Sequence, residues 1–131
     1  MALLFTSVAE RWLAGLPPDD LAHVHASLEF VRDHGPEPDN RRIKQIKSSI
    51  HPSMRELRPL ASNIRVLFAF DARQVGVVLV GGDKTGEWNG WYPRHVALAD
   101  RLFSDHLRQT GQEPKRWQSR EAGSRSNAID R

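Results

Sequence analysis

Asn63-Ile64-Arg65-Val66-Leu67-Phe68-Ala69-Phe70, Asp71-Ala72-Arg73-Gln74 and Val75-Gly76-Val77-Val78-Leu79-Val80 form the stretch from which the fold is read. Its first eight residues alternate. Ile64, Val66, Phe68 and Phe70 point one way, and Arg65, Leu67 and Ala69 the other, as in a strand. Asp71 to Gln74 is polar and turn-like. Val75 to Val80 is almost wholly apolar, which fits a central strand covered on both faces. A β-hairpin is therefore expected here. It leads into a Gly-rich loop, Gly81-Gly82-Asp83-Lys84-Thr85-Gly86-Glu87, and then into Trp88-Asn89-Gly90-Trp91-Tyr92.

Upstream, Met54 to Arg58 alternates weakly and Arg41 to Ile46 has the pattern of a short strand. His34 to Asn40 holds two prolines and one glycine and is a loop. Ala2 to Phe5 reads as a first strand buried on both faces, with Thr6 or Ser7 as the cap of a helix over Val8–Leu16. Pro17-Pro18 ends that helix, and Asp19 and Asp20 open a second one running to about Asp33, with Leu21, Val24, Leu28 and Val31 on one side. Downstream, Pro93 suits the first turn of a last helix whose apolar stripe is Val96, Ala99, Leu102, Phe103 and Leu107. Arg94, Arg101 and Arg108 recur on a solvated face. The order implies an α+β domain over residues 1–110. A small, mostly antiparallel sheet is expected with the helices, two N-terminal and one C-terminal, packed on one face. Residues 111–131 are polar and read as a flexible tail.

A chain of 131 residues with 39% hydrophobic and 27% charged residues suits one soluble domain. No apolar run approaches the length of a membrane helix, and no signal peptide is read at the start. The absence of cysteine removes disulfides and thiolate metal sites and suits a cytoplasmic protein. Net charge is only +3, but it is unevenly spread. Residues 1–40 hold seven acids against two bases, whereas residues 41–65 hold seven bases against Glu56 alone. A cationic block of this kind, folded onto one face, attracts phosphate.

Several chemistries fall away. A phosphate-binding nucleotide loop needs Gly-Lys-Ser/Thr opening a helix, but Asp83 precedes Lys84 and aromatic residues follow. The six histidines have no metal-ligand spacing, and no serine sits in a nucleophile elbow. Arginines and lysines on a sheet beside aromatic side chains remain. Guanidinium forks grip phosphate and aromatic faces stack unpaired bases, a combination suited to single-stranded RNA. Fixed cations can also stabilise the charge that grows on phosphorus oxygens when a 2′-OH attacks. Arg65, on an otherwise apolar strand, is the cation hardest to explain as solubilising charge.

Taken in order, Met54-Arg55-Glu56-Leu57-Arg58-Pro59, Ile64 to Asp71, Gly81-Gly82-Asp83-Lys84 and Trp88-Asn89-Gly90-Trp91-Tyr92 resemble the RelE/HigB toxins of type II toxin–antitoxin systems, in the branch of phage Gp49-like proteins. The similarity runs from about residue 3 to residue 108. It implies a RelE-like fold and a metal-independent endoribonuclease without cofactors, acting on mRNA in the ribosomal A site. It also implies a neutralising antitoxin, often a helix-turn-helix protein, through which alone DNA is contacted, and no membrane partner. Arg65, Lys84, Arg58 and Tyr92 fall on catalytic positions, with Trp91 as an alternative to Tyr92. Arg55, Lys44, Lys47, Trp88 and Trp91 fall where RNA or ribosome is gripped. Glu56 departs from the pattern, since RelE proper tends to have lysine there. A non-catalytic RNA- or ribosome-binding module, or a degenerate toxin kept as a co-repressor, is the competing reading.

Overall fold

A computed structural model describes residues 1–87 and 89–117. The elements are β1 (Ala2–Phe5), α1 (Ser7–Ala14), α2 (Pro18–His34), β2 (Ile43–Gln45), β3 (Arg55–Leu57), β4 (Ile64–Phe70), β5 (Val75–Asp83) and α3 (Trp91–Gln109). They build one five-stranded sheet in the order β1-β5-β4-β3-β2. The predicted hairpin is its centre, β4 against β5. Among the described residues no helix is long and apolar enough to cross a membrane.

Three expectations change. The sheet is mixed, because β1 joins β5 in parallel, with Ala2 opposite Val75 and Phe5 opposite Val78, while the other pairings are antiparallel. Parallel pairing needs a long connection, which the whole chain between β1 and β5 supplies. β1 is an edge strand, half-exposed rather than buried on both faces. Thr6 fixes the corner after it: its Oγ1 accepts from the Ala9 amide and donates to the Leu79 carbonyl at 2.6 Å. One hydroxyl thus caps α1 and ties it to β5.

The helices cover both faces rather than one. Ala9 of α1 and Val24, Leu28 and Val31 of α2 pack with Ile43, Leu57, Ile64, Val66, Phe68 and Val78. On the other face Trp91, Val96, Ala99, Phe103 and Leu107 of α3 pack with Met54, Leu67, Ala69, Val77, Leu79 and Val80. A fully apolar central strand demands such double cover. Helix α3 starts two residues before Pro93. The proline still lies in the first turn, where no intrahelical donor is lost.

A register shift decides which residues of β5 reach which face. Leu67 pairs with Val80 but Phe68 pairs with Val78, so Leu79 bulges out of the ladder. Leu79 and Val80 consequently both join the α3 core. Beyond the bulge the alternation is inverted. A Cβ on Gly81 would lie 2.3 Å from the Trp12 ring of α1, and one on Gly82 would lie 2.9 Å from Trp91 Nε1 of α3. Lys84, two residues past Gly82, therefore projects on the α3 side.

Candidate functional site

The α3 side of the sheet is closed over Leu67 and Ala69 but opens beyond the N-terminus of α3. Here a cleft of about 510 Å³ is lined by Lys44, Gln45, Ile46, Lys47, Ser48, Glu56, Arg58, Lys84 and Tyr92. Strand pairing builds it: Lys44 of β2 lies opposite Glu56 of β3, and Glu56 opposite Leu67 of β4. The three side chains share one face because directly opposed residues do.

Glu56 is the buried centre, 1% exposed. Its Oε1 accepts from Arg58 Nε at 2.8 Å, and its Oε2 is buried. Burial alone would pull the Arg58 guanidinium down, but the Glu56 carboxylate outweighs it and holds Arg58 above its ordinary value. Lys84 is buried too, and its Nζ donates to Tyr92 Oη at 3.3 Å while lying 5.3 Å from the ring centroid. Burial, helped by the nearby Arg65, Arg58 and Lys44 charges and opposed by Glu56, lowers the Lys84 ammonium. Burial and the Glu56 carboxylate push the Tyr92 phenol up, against the pull of Arg65. The result is a protonated phenol beside a lysine biased toward giving up its proton.

Arg65 stands at the margin of this group rather than at its middle. Its Nη1 donates to the carbonyls of Ser62 and Ile64, both at 2.8 Å, and its Nε is buried. It remains close enough to act on Tyr92 and Lys84. The charged group in the cleft is thus organised by Glu56, Arg58, Lys84 and Tyr92, with Arg65 behind them. The face it occupies is itself a core face along most of its length.

Of the residues expected to grip RNA, Lys44 and Lys47 line the cleft. Arg55 does not. It shares the opposite face with Leu57, is 7% exposed, and donates to the carbonyls of Pro36, Pro52 and Met54 while stacking over Phe70. The period-two alternation of β3 already separates Arg55 from Glu56 and Arg58. Trp91 is 1% exposed and stacks on His95 at 4.0 Å, inside the α3 core. Trp88 lies outside the described residues. Gln45, Ile46 and Ser48 are cleft residues the sequence did not mark. Their only signal is that they flank Lys44 and Lys47. Among the described residues no group of three or more His, Asp or Glu side chains is arranged to hold a metal ion.

Comparison with known proteins places the chain in a family. The family described as phage-derived protein Gp49-like matches residues 11–104. The chain is 35% identical over 107 residues to a Mycobacterium tuberculosis protein designated toxin HigB3, covering 82% of this chain and 94% of that one. It is also 35% identical over 111 residues to the same organism's designated toxin HigB2, covering 80% of this chain. Only 55% of HigB2 is covered, so the chain spans about half the length of that relative. The isolated RelE toxin of E. coli shares the fold with a TM-score of 0.53 at 16% identity, over 73% of this chain and 95% of RelE.

Proposed function

Because the chain belongs to the phage-derived Gp49-like family, alongside the HigB toxins, we propose that it is the toxin of a type II toxin–antitoxin system that cleaves mRNA on the ribosome. The observation that carries this reading is the convergence of Arg58, Lys84 and Tyr92 around buried Glu56 in a cleft edged by Lys44 and Lys47. A single RNA strand enters along the two lysines. Arg58 and Lys84 meet the nonbridging oxygens of the scissile phosphate, and Glu56 holds the Arg58 fork in place. The 2′-OH releases its proton to water and attacks phosphorus, and the bond to the 5′ oxygen breaks, leaving a 2′,3′-cyclic phosphate and a 5′-OH. Tyr92, kept protonated by burial and Glu56, supplies the proton to the departing oxygen. Arg65 orders Tyr92 and adds positive potential. Neutralisation falls to an antitoxin, expected as a helix-turn-helix protein.

Induction in cells tests the reading. The wild-type chain is expected to arrest growth and cut messages inside reading frames. Arg58→Ala, which removes a side chain that meets the scissile phosphate, is expected to lower cutting about 100-fold, the usual cost of one oxyanion-stabilising group. Arg65→Ala, whose lost side chain acts through Tyr92, is expected to lower it less. Undiminished cutting by Arg58→Ala would sink the site assignment. Blocked translation with intact message would instead favour a non-catalytic ribosome binder, a reading that the neutralisation of Arg58 by Glu56 keeps in play.

A further inference from the structure

The wall of the cleft formed by Lys47 and Ser48 continues into a loop that the segment after α3 comes back to cover. Trp117, 68 residues from Ser49 in sequence, donates its indole Nε1 hydrogen to the Ser49 carbonyl at 2.7 Å. The loop beneath is anchored to α3: Ser49 Oγ donates to Asp100 Oδ1 at 2.5 Å, the His51 amide donates to Ser49 Oγ at 2.9 Å, and the His51 ring meets Ser104 Oγ at 2.9 Å. The indole is therefore held in one orientation on a fixed support. Yet Trp117 remains 40% exposed, whereas Trp91, which packs α3, is 1% exposed. A tryptophan needed only to fill space would be covered. One whose N–H is satisfied internally while its ring stays open presents a ready aromatic face. Lys115 and Arg116, both exposed, precede it in the chain, and Lys47 stands two residues from its anchor. Cations beside an aromatic face are the elements of single-stranded RNA binding.

We propose that Trp117 is a stacking platform that extends the RNA site beyond the cleft, taking one unpaired base whose flanking backbone runs past Lys47. This rests on the RNA-cleaving reading above. It assigns a binding role to a segment that lies past the family match, which ends at residue 104.

The test uses the full chain and ribosomes programmed with a message carrying 4-thiouridine. The half-saturating toxin concentration, the plateau cleavage rate and the photocrosslinked residue are read together. Trp117→Ala is expected to raise the half-saturating concentration about tenfold with the plateau rate unchanged. Trp117→Phe, which keeps a ring but loses the bond to Ser49, stays within about twofold of wild type. Trp117→Leu, apolar but without a ring, behaves like Trp117→Ala. Residue 117 crosslinks to the message if the base is the substrate's. If Trp117→Ala changes saturation but the labelled message does not crosslink, a crosslink from 4-thiouridine in ribosomal RNA identifies the same chemistry there. The proposal fails if Trp117→Ala saturates like wild type. It also fails if Trp117→Phe is as weak as Trp117→Ala, for then the Ser49 bond carries the effect and Trp117 is a clasp. An effect confined to neutralisation by the antitoxin overturns it in favour of a protein surface. A wild-type chain that leaves the message whole refutes the RNA-cleaving reading itself, and this inference with it.

Discussion

Glu56 sets the charge balance of the cleft. A buried carboxylate is tolerated only with partners, and it takes Arg58 by a direct ion pair and raises the phenol of Tyr92 by its own negative charge. Tyr92 is the single tyrosine of the chain, so its titration can be read without ambiguity. Glu56→Gln is expected to move the phenol's absorbance titration to lower pH, because one of the causes of the upward shift is removed while burial stays. An unmoved titration would mean that Glu56 does not govern Tyr92. Lys84 gives a second residue-scale prediction. Its folded-state pKa lies below the ordinary value of 10.5, so the protonated ammonium costs the fold stability. That cost is present below the lowered pKa and disappears as pH rises through it toward 10.5. Lys84→Met removes the cost at every pH. Its Tm is therefore expected to exceed that of wild type near neutral pH, with the gap closing as the pH is raised to 10.5. A gap independent of pH would contradict this.

At the scale of elements, β5 is the strand on which both layers depend, and its bulge is the deciding detail. Without the extra residue at Leu79, simple alternation would send Lys84 to the α1 side and Asp83 to the cleft. Gly81 and Gly82 are the places where helices approach the strand most closely, α1 through Trp12 and α3 through Trp91. Gly81→Ala is expected to destabilise the protein by about 1–3 kcal/mol, since its methyl overlaps the indole of Trp12. Denaturant unfolding measures this, and in a Trp12→Leu background the penalty should shrink. An equal penalty in both backgrounds would rule out the clash as its cause. The hairpin, both N-terminal helices and the last helix were legible from periodicity and caps. The parallel edge was not, because a four-residue apolar run carries no sign of direction or partner.

At the scale of the whole molecule, Asp71 joins parts distant in sequence at the end opposite the cleft. Its carboxylate accepts from Arg73, from His106 of α3 at 2.9 Å and from Gln112 beyond α3 at 3.0 Å, and from the Val75 amide at 3.1 Å. The residue is 2% exposed. Burial alone would raise its pKa, but the bonds from Gln112, His106, Val75 and Arg73 prevail and hold the carboxyl far below the ordinary 3.8. The sign follows: the stabilisation is complete above that ordinary value and is lost as pH falls below it toward the depressed pKa. Asp71→Asn is expected to cost about 2–4 kcal/mol at neutral pH and to weaken the acid dependence of unfolding between pH 4 and pH 2, roughly the window in which such a carboxylate titrates. A variant with unchanged acid sensitivity would show that the node does not control it. The same node holds Gln112 in place, so the segment leading toward Trp117 leaves α3 along the body. Of the predicted tail, residues 118–131 lie outside the described residues.

The sequence by itself determined the local matters. Alternation gave the central hairpin, and helical periodicity and proline gave the helices, because each depends on residues near one another in the chain. The alternation of β3 also puts Met54, Glu56 and Arg58 on one face and Arg55 and Leu57 on the other. Only the tertiary structure decided that the sheet is mixed, that helices cover both faces, and that Glu56 rather than Arg65 lies at the centre. Those outcomes depend on strand pairing, on a one-residue bulge and on the balance between burial and charge. All three are set by partners far away in sequence, and none leaves a periodic mark on the chain.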